Sequence, residues 1–290
     1  MIPVWLKRLT PQQFRTLSFI ACFFIGAIIV TGASVRVTGS GLGCPTWPQC
    51  SSDSLVPRAS ESHHGLIEFG NRLFTGLLSA SVILAVLGSV VRNPRSKRLI
   101  WLSLGLVFGV LAQIVLGGIT VLVGLNPAFV AAHMIVSCLI LSCAVILCVV
   151  SRPDDTPALR NLFRFHRQSL ISALTLLVVI LGTVVTAAGP HAGDENVERL
   201  NVSVESVARI HSLSAWLLVL VVLYLIMFKR DRMRSLIVLL GITFVQGAWG
   251  YTQYALSVPA WMVAVHVLLA SVLFAASQVY WTTAIAKRTE

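Results

Sequence analysis

The distribution of apolar residues along the chain predicts eight membrane-spanning helices. The chain contains eight apolar runs of roughly 20 residues, the length that crosses about 30 Å of hydrocarbon. They lie near residues 17–36, 70–91, 99–122, 128–150, 169–188, 208–228, 235–255 and 260–285. The first run follows Lys7, Arg8 and Arg15, as the core of a signal peptide would, but it is too long for one. The predicted fold class is an all-α integral membrane protein.

Composition and charge agree with this prediction and add an orientation. Hydrophobic residues make up 56% of the 290 residues, and charged residues only 11%, far from the averages of a soluble domain. Of the 22 Lys and Arg residues, 17 lie in segments that eight spans place on one side. The positive-inside rule makes that side cytoplasmic. We therefore expect a multi-pass cell-membrane protein with both termini in the cytoplasm, and no nucleic-acid partner despite the net charge of +11.

The sequence also repeats itself. Gln113 precedes His133 by 20 residues, and Gln246 precedes His266 by the same 20 residues at a matching place in the second half. The segments IEFGNRLFTGLL and VARIHSLSAWLL match as well, as do VTGSGLGCP and VTAAGPHAG. We predict two homologous four-helix bundles related by a pseudo-two-fold axis along the membrane normal. Their predicted bounds are 1–150 and 169–290, joined by a cytoplasmic linker at 151–168.

Histidines inside apolar helices suggest that the bundles bind haem. A polar residue is costly at that depth, and imidazole is a common axial ligand of haem iron. His211 and His266 are expected at similar depths near the outer face, as a bis-histidine haem site requires. In the first half, His133 occupies the place of His266, whereas the place of His211 is taken by Asn71, a poor iron ligand. Polar core histidines bonded to a neighbouring helix are the alternative.

Further polar residues fall at the predicted outer ends of the helices. Glu68 lies three residues before Asn71 on the same helix face, where it can snorkel to the surface or transfer protons beside a haem. His63 and His64 are expected in the outer loop 37–66, and either can be considered as a substitute ligand. His191 has a spacing to Asp194 that permits a local hydrogen bond.

Three arginines and two cysteines complete the set of candidate site residues. The arginines can pair with haem propionates or snorkel at the interface; they are Arg36, Arg72 and Arg209. Cys44 and Cys50 are expected on the oxidising side of the membrane, which predicts a disulfide bond. Two free thiols are the alternative.

Several spaced segments resemble the haem A synthase family. They are VTGSGLGCPTWPQC, IEFGNR, AQIVLGGITVLVGLNPAFVAAH and VTAAGPHAGD, and together they extend over most of the chain. The resemblance implies an eight-helix protein that acts in cytochrome oxidase assembly and oxidises the C8 methyl group of haem O to the formyl group of haem A. It also implies a substrate haem in the first half and a haem b cofactor in the second.

Carried over to this sequence, the resemblance assigns roles to individual residues. His211 and His266 would be the axial ligands of haem b, His133 would bind the iron of the substrate, and Glu68 would be catalytic. Asn71 departs from the family pattern, in which many members have histidine. The implied partners are haem O, the lipid bilayer, haem O synthase, oxidase assembly proteins and an unidentified electron-transfer partner.

Two other functions also fit the residues. A membrane b-type cytochrome for electron transfer would use the same paired histidines, although it would usually have a second complete pair, which Asn71 interrupts. A haem-binding carrier or assembly factor would need ligands but no acid such as Glu68.

Overall fold

A computed structural model of the chain describes residues 8–57, 63–152, 167–229 and 232–286. These residues form eight α-helices and two isolated β-bridges. The helices are α1 (Pro11–Val37), α2 (His63–Val91), α3 (Lys97–Leu122), α4 (Pro127–Val150), α5 (Arg167–Ala188), α6 (Val204–Phe228), α7 (Met233–Ala255) and α8 (Ala260–Ala286). All eight are long and apolar enough to cross a membrane, which confirms the predicted all-α membrane fold. Most of the predicted linker, at 153–166, lies outside the described residues.

Some helices begin earlier than their apolar runs, because their first turns are polar and do not register as hydrophobic. Thr10 caps α1 by accepting a 3.2 Å hydrogen bond from the Gln13 N–H, and Gln13 Oε1 accepts from the Thr10 N–H at 2.9 Å. In the same way, α2 begins seven residues before the run near residue 70. His63 and His64 therefore lie in the first turn of α2, and their expected place in the loop was wrong.

Each half of the chain forms a closed four-helix bundle. In the first, α1 packs on α2 and α4, and α3 packs on α2 and α4; in the second, α5 and α7 pack on α6 and α8 in the same way. The halves meet through α1 with α8, α4 with α5, and α4 with α8. This pattern maps onto itself when the two halves are exchanged, as a pseudo-two-fold axis requires. The axis and the domain bounds stay predictions.

The distribution of exposed and buried apolar side chains is typical of a protein surrounded by lipid. The core of the first bundle includes the buried side chains of Phe14, Leu106 and Leu147. Phe274 of α8 belongs to the same core, so the two bundles pack against each other. Large apolar side chains such as Phe23, at 69% exposure, lie on the outside of the bundle. Such exposure is unfavourable in water but costs little against hydrocarbon tails.

The two long loops, described at residues 38–57 and 189–203, lie at the same end of the bundle, which we call the long-loop end. The Gly41 N–H donates a 2.8 Å hydrogen bond to the Gly193 carbonyl, so the loops of the two halves touch. Leu125, in the turn between α3 and α4, packs beneath this contact with Ala192 and Val197. The candidate site residues are set under these loops.

Candidate functional site

The two helical hairpins that carry His133 and His266 have the same backbone structure. The turn after α3 is closed by a 2.9 Å hydrogen bond from the Leu125 N–H to the Thr120 carbonyl. The turn after α7 is closed by a 2.8 Å bond from the Val258 N–H to the Gln253 carbonyl, 133 residues further on. Leu125 and Val258 both adopt positive φ, 58° and 61°. Equal turns place the two histidines at equivalent positions in α4 and α8.

A glutamine and a glycine hold each of these histidines from the facing helix. Gln113 Nε2 donates to the His133 carbonyl at 3.0 Å, and Gln246 Nε2 donates to the His266 carbonyl at 3.1 Å. One turn further, Gly117 and Gly250 face the rings: a Cβ at 117 would lie 3.3 Å from His133 Cε1, and at 250 only 2.9 Å from His266 Cε1. The repeat in the sequence therefore corresponds to a repeated contact.

In the second half the structure brings two predicted ligands together. The ring centres of His211 and His266 are 6.3 Å apart, with an angle of 57° between the rings. Two metal–imidazole bonds of about 2 Å, with roughly 1 Å from each nitrogen to its ring centre, imply a separation of about 6 Å for two ligands on one metal. His211 is oriented by a 3.0 Å bond between Nδ1 and the Val178 carbonyl, and its ring lies against Gly182. The pair fits axial ligation of one haem iron.

The first half has one histidine at this position. Asn71, which takes the place of His211, accepts a 2.7 Å hydrogen bond on Oδ1 from the Thr31 hydroxyl of α1. Within the described part of the chain, His133 makes no hydrogen bond to Asn71 or Glu68. The His64 imidazole is bound elsewhere, with Nδ1 2.9 Å from the Ser40 hydroxyl. An iron here would have one strong protein ligand, His133.

Glu68 is the one buried acidic side chain among the described residues, with 5% of its surface exposed. Its Oε2 accepts a 2.7 Å hydrogen bond from the Cys44 N–H, and its Oε1 lies 2.6 Å from Arg72 Nη2. A buried carboxylate is tolerated when a cation and hydrogen bonds compensate it. Glu68 is therefore held as one partner of an ion pair under the first long loop.

Arg72 fastens that loop to α2. Its guanidinium donates to the carbonyls of Cys44, Thr46 and Gln49 at 3.0, 3.2 and 3.1 Å, in addition to its ion pair with Glu68. It also lies 5.2 Å from the ring centre of Trp47, within the range of a cation–π contact. These contacts occupy the side chain that was expected to reach a haem propionate. That role stays a prediction.

The loop itself is closed and inserted between helices. The Sγ atoms of Cys44 and Cys50 are 1.96 Å apart, the distance of a disulfide bond. The Trp47 indole fills the space over Gly118 of α3, where a Cβ would lie 2.5 Å from Trp47 Nε1. No spacing or motif in the sequence indicates that Trp47 of the loop packs on Gly118.

The second half lacks this acid and this loop contact. Counted from the matching of Asn71 with His211, the counterpart of Glu68 is Ala208 and that of Arg72 is Ser212. Gly118 corresponds, 133 residues on, to Tyr251. The Tyr251 and Ser212 hydroxyls are 2.5 Å apart, and the Trp216 indole donates to Tyr251 at 3.0 Å. One scaffold therefore has a buried acid under a loop in one half and two paired imidazoles in the other.

The remaining candidates lie at the long-loop end. Arg209 is largely exposed and pairs with Glu205 at 2.6 Å. Arg36 is half-buried at the end of α1, next to Gly193. His191 Nε2 lies 2.8 Å from the Val258 carbonyl, so this ring joins the second loop to the α7–α8 turn. The suggested local bond to Asp194 is absent, because the Asp194 carboxylate accepts from the Asn196 N–H instead.

Comparison with known proteins identifies the family of the chain. The model of the COX15-CtaA family, described as cytochrome oxidase assembly proteins, matches residues 15–278. Proteins named Heme A synthase are similar over shorter regions. That of Geobacillus kaustophilus is 31% identical over 113 residues, which cover 39% of this chain and 35% of the relative. That of Lysinibacillus sphaericus is 33% identical, over 39% and 36% of the two chains, and that of Bacillus pumilus 32%, over 43% and 40%.

The aligned regions thus span well under half the length of these relatives. The family model, in contrast, extends from α1 into α8 and includes both halves of the bundle. The chain belongs to the COX15-CtaA family of cytochrome oxidase assembly proteins.

Proposed function

We propose that the protein is a haem A synthase, an oxidoreductase that converts the C8 methyl group of haem O to the formyl group of haem A. The observation that carries the proposal is that the two halves contain different sets of site residues. One half pairs His211 with His266 at the spacing of a single iron, and the other combines His133 with the buried acid Glu68. Family membership and relatives named Heme A synthase support the same activity.

In the second half, His211 and His266 would hold haem b as its two axial ligands. When bound, haem b supplies one-electron transfer. Two imidazoles leave no free coordination position, which suits electron transfer rather than chemistry on a substrate. The bond from His211 to the Val178 carbonyl fixes the orientation of that ring. Tyr251, which stands at the position of Gly118, is hydrogen-bonded to Ser212 of α6.

In the first half, His133 would bind the iron of haem O and so place the macrocycle under the first long loop. Asn71 is engaged with Thr31 and is a poor ligand, so the substrate iron keeps an open position for an oxygen species. Two successive hydroxylations of the methyl carbon, each a two-electron oxidation that needs an external oxidant and an oxygen source, would give a gem-diol, and loss of water would leave the aldehyde. The farnesyl tail of haem O is apolar, which permits lateral entry from the bilayer.

Glu68 would handle the protons of these steps. Its Oε1 is paired with Arg72 and its Oε2 accepts from the Cys44 N–H, so a proton added to or removed from the carboxylate changes both contacts. Arg72 and the loop held by the Cys44–Cys50 disulfide would keep the carboxylate in place and exclude water. Arg36, Arg72 and Arg209 remain proposed contacts for propionates.

The proposed location is the cell membrane, with both termini cytoplasmic and the haem sites towards the outer face. The basis is the concentration of Lys and Arg at the end opposite the two long loops. The proposed partners are haem O synthase, which supplies the substrate, cytochrome oxidase assembly proteins and an electron-transfer protein.

The test is haem analysis of membranes that contain this chain together with a haem O synthase. Haem A should form with the wild-type chain and be lost with Glu68→Gln. The matched control is Glu205→Gln, which removes an acid from an equivalent ion pair of 2.6 Å that is exposed on α6. This control should form haem A at the wild-type level.

Haem O that remains unconverted in aerobic, reductant-competent membranes would contradict the proposal. If the purified chain then still holds haem b between His211 and His266, a b-type cytochrome for electron transfer is the function that the second site favours. If it holds haem without a low-spin bis-histidine spectrum, a haem carrier is favoured instead.

A further inference from the structure

The two glutamines that precede the histidines have unused acceptors in both halves. Gln113 and Gln246 each anchor Nε2 on the carbonyl of the facing histidine. Among the described residues, the buried Oε1 atoms of both glutamines have no hydrogen-bond partner, and neither have the buried Nδ1 atoms of His133 and His266. A buried polar atom without a partner costs about 1–3 kcal/mol. The same two orphaned atoms, one acceptor and one ring nitrogen, recur in each hairpin.

Binding of a metal by the imidazole would give these unpaired atoms a reason to pair with each other. A histidine that coordinates iron through Nε2 carries its proton on Nδ1, and that N–H needs an acceptor. His211 has one in the Val178 carbonyl, 3.0 Å away. Among the described residues, His133 and His266 have no such bond on Nδ1, and the glutamine that anchors the backbone of each has an unpaired Oε1, Gln113 for His133 and Gln246 for His266.

We propose that Gln113 and Gln246 are positioning residues for the haem ligands. Each anchors Nε2 on the histidine backbone and offers Oε1 to the Nδ1–H of the same histidine when its ring binds iron. The inference rests on the proposed haem ligation. A carboxamide suits this role because its oxygen accepts a hydrogen bond from the Nδ1–H without placing a net charge in the membrane, where charge is costly.

The neighbouring glycines limit where the ring can go. Gly250 lies so close to His266 that a Cβ would be 2.9 Å from Cε1, and Gly117 faces His133 in the same way. Glycine and glutamine are four residues apart in each hairpin and therefore lie on one helix face. The glycine permits close approach of the ring, and the glutamine sets its rotation.

The halves differ in how firmly the glutamine is held. Gln113 Nε2 also contacts the Ser137 hydroxyl, which itself donates to the His133 carbonyl at 3.0 Å. The counterpart of Ser137, 133 residues on, is Ala270. Within the described residues, the His266 carbonyl is therefore the one hydrogen-bond partner of Gln246 Nε2, and replacement of Gln246 disturbs fewer other groups.

The experiment compares the full-length wild-type chain with Gln246→Met and Gln246→Glu, purified with haem b bound. Methionine removes the acceptor at similar volume, and glutamate keeps an acceptor but adds negative charge. Loss of the acceptor makes His266 a poorer electron donor, so the midpoint potential of haem b should rise in Gln246→Met and fall in Gln246→Glu. Transfer of haem to an apo-haemoprotein should become about 10- to 100-fold more favourable in Gln246→Met.

The matched control is Gln253→Met. Gln253 lies on the same helix and also has a buried Oε1 without a partner, but it stands seven residues further on, beyond Gly250. Its replacement should change neither the potential nor haem retention. Opposite shifts in the two Gln246 variants cannot come from loosened packing, which would move both potentials in one direction.

Each outcome decides a separate point. A wild-type chain with low-spin haem whose potential is unchanged in both variants, or shifted in the same direction, overturns this inference and leaves the proposed function standing. A wild-type chain that binds no haem overturns both. If Gln246→Met fails to accumulate, Gln246→Leu replaces it as the variant without an acceptor, and an unchanged potential in that variant overturns the inference; the fall in Gln246→Glu alone does not decide, because the added charge lowers the potential by itself.

Discussion

Removal of the Arg72 guanidinium should destabilise the protein far more than removal of the Arg209 guanidinium, which is exposed on α6. Arg72 and Glu68 form an ion pair of 2.6 Å with side chains 16% and 7% exposed. Arg209 and Glu205 form a pair of the same spacing and length, but their side chains are 70% and 68% exposed. The two pairs therefore share their geometry and differ in burial and in the loop contacts of Arg72.

The magnitudes follow from what each substitution leaves behind. Arg72→Met leaves a buried carboxylate without its cation, which costs about 3–5 kcal/mol, and four loop carbonyls lose their donor. Arg209→Met removes an exposed helix pair worth about 0.3–0.5 kcal/mol. With roughly 2–4 °C of melting temperature per kcal/mol, we expect a fall on the order of 10 °C for Arg72→Met and about 1 °C for Arg209→Met.

The assay is thermal unfolding of the purified chain in detergent, with the double variant Glu68→Gln/Arg72→Met as a second comparison. Removing both partners should restore part of the loss, because no uncompensated charge then stays buried. Equal melting temperatures for Arg72→Met and Arg209→Met would refute the reasoning. A double variant less stable than Arg72→Met would also contradict it.

Two further substitutions test the haem sites. Gly250→Ala should lower haem content, because the new methyl group would lie 2.9 Å from His266 Cε1, whereas Gly247→Ala, with nothing within 4 Å, should not; haem per protein after purification distinguishes them, and equal content would refute the tight fit. Asn71→His should give the substrate haem a low-spin spectrum and lower its turnover to haem A, because a second imidazole closes the open position. A variant that gains both the second ligand and higher turnover would contradict the proposed role of Asn71.

The two halves share one hairpin structure, α3–α4 in the first and α7–α8 in the second, and differ in the residues that surround its histidine. The contacts of Gln113 with His133 and of Gln246 with His266 are nearly identical. The differences lie on α2 and α6, where Glu68, Asn71 and Arg72 in one half are replaced by Ala208, His211 and Ser212 in the other. The shared part positions a histidine, and the variable part decides whether an acid or a second imidazole accompanies it.

Much of the fold was readable from the sequence because the length of an apolar run is a local property. Each of the eight predicted spans lies within the bounds of one helix of the structure. The matched spacing of Gln113 with His133 and Gln246 with His266 predicted the repeat, and the resemblance to the haem A synthase family agrees with the family match. The roles assigned to the individual site residues stay predictions.

The sequence by itself determined the helices, their order and the duplicated positions of glutamine and histidine. The tertiary structure alone decided the partners: Arg72 binds loop carbonyls, Trp47 packs on Gly118, and His191 reaches the Val258 carbonyl. The physical reason is that lipid is as apolar as the protein interior. The helices therefore carry apolar side chains on every face, and their sequence does not reveal which face turns inward or which loop lies over it.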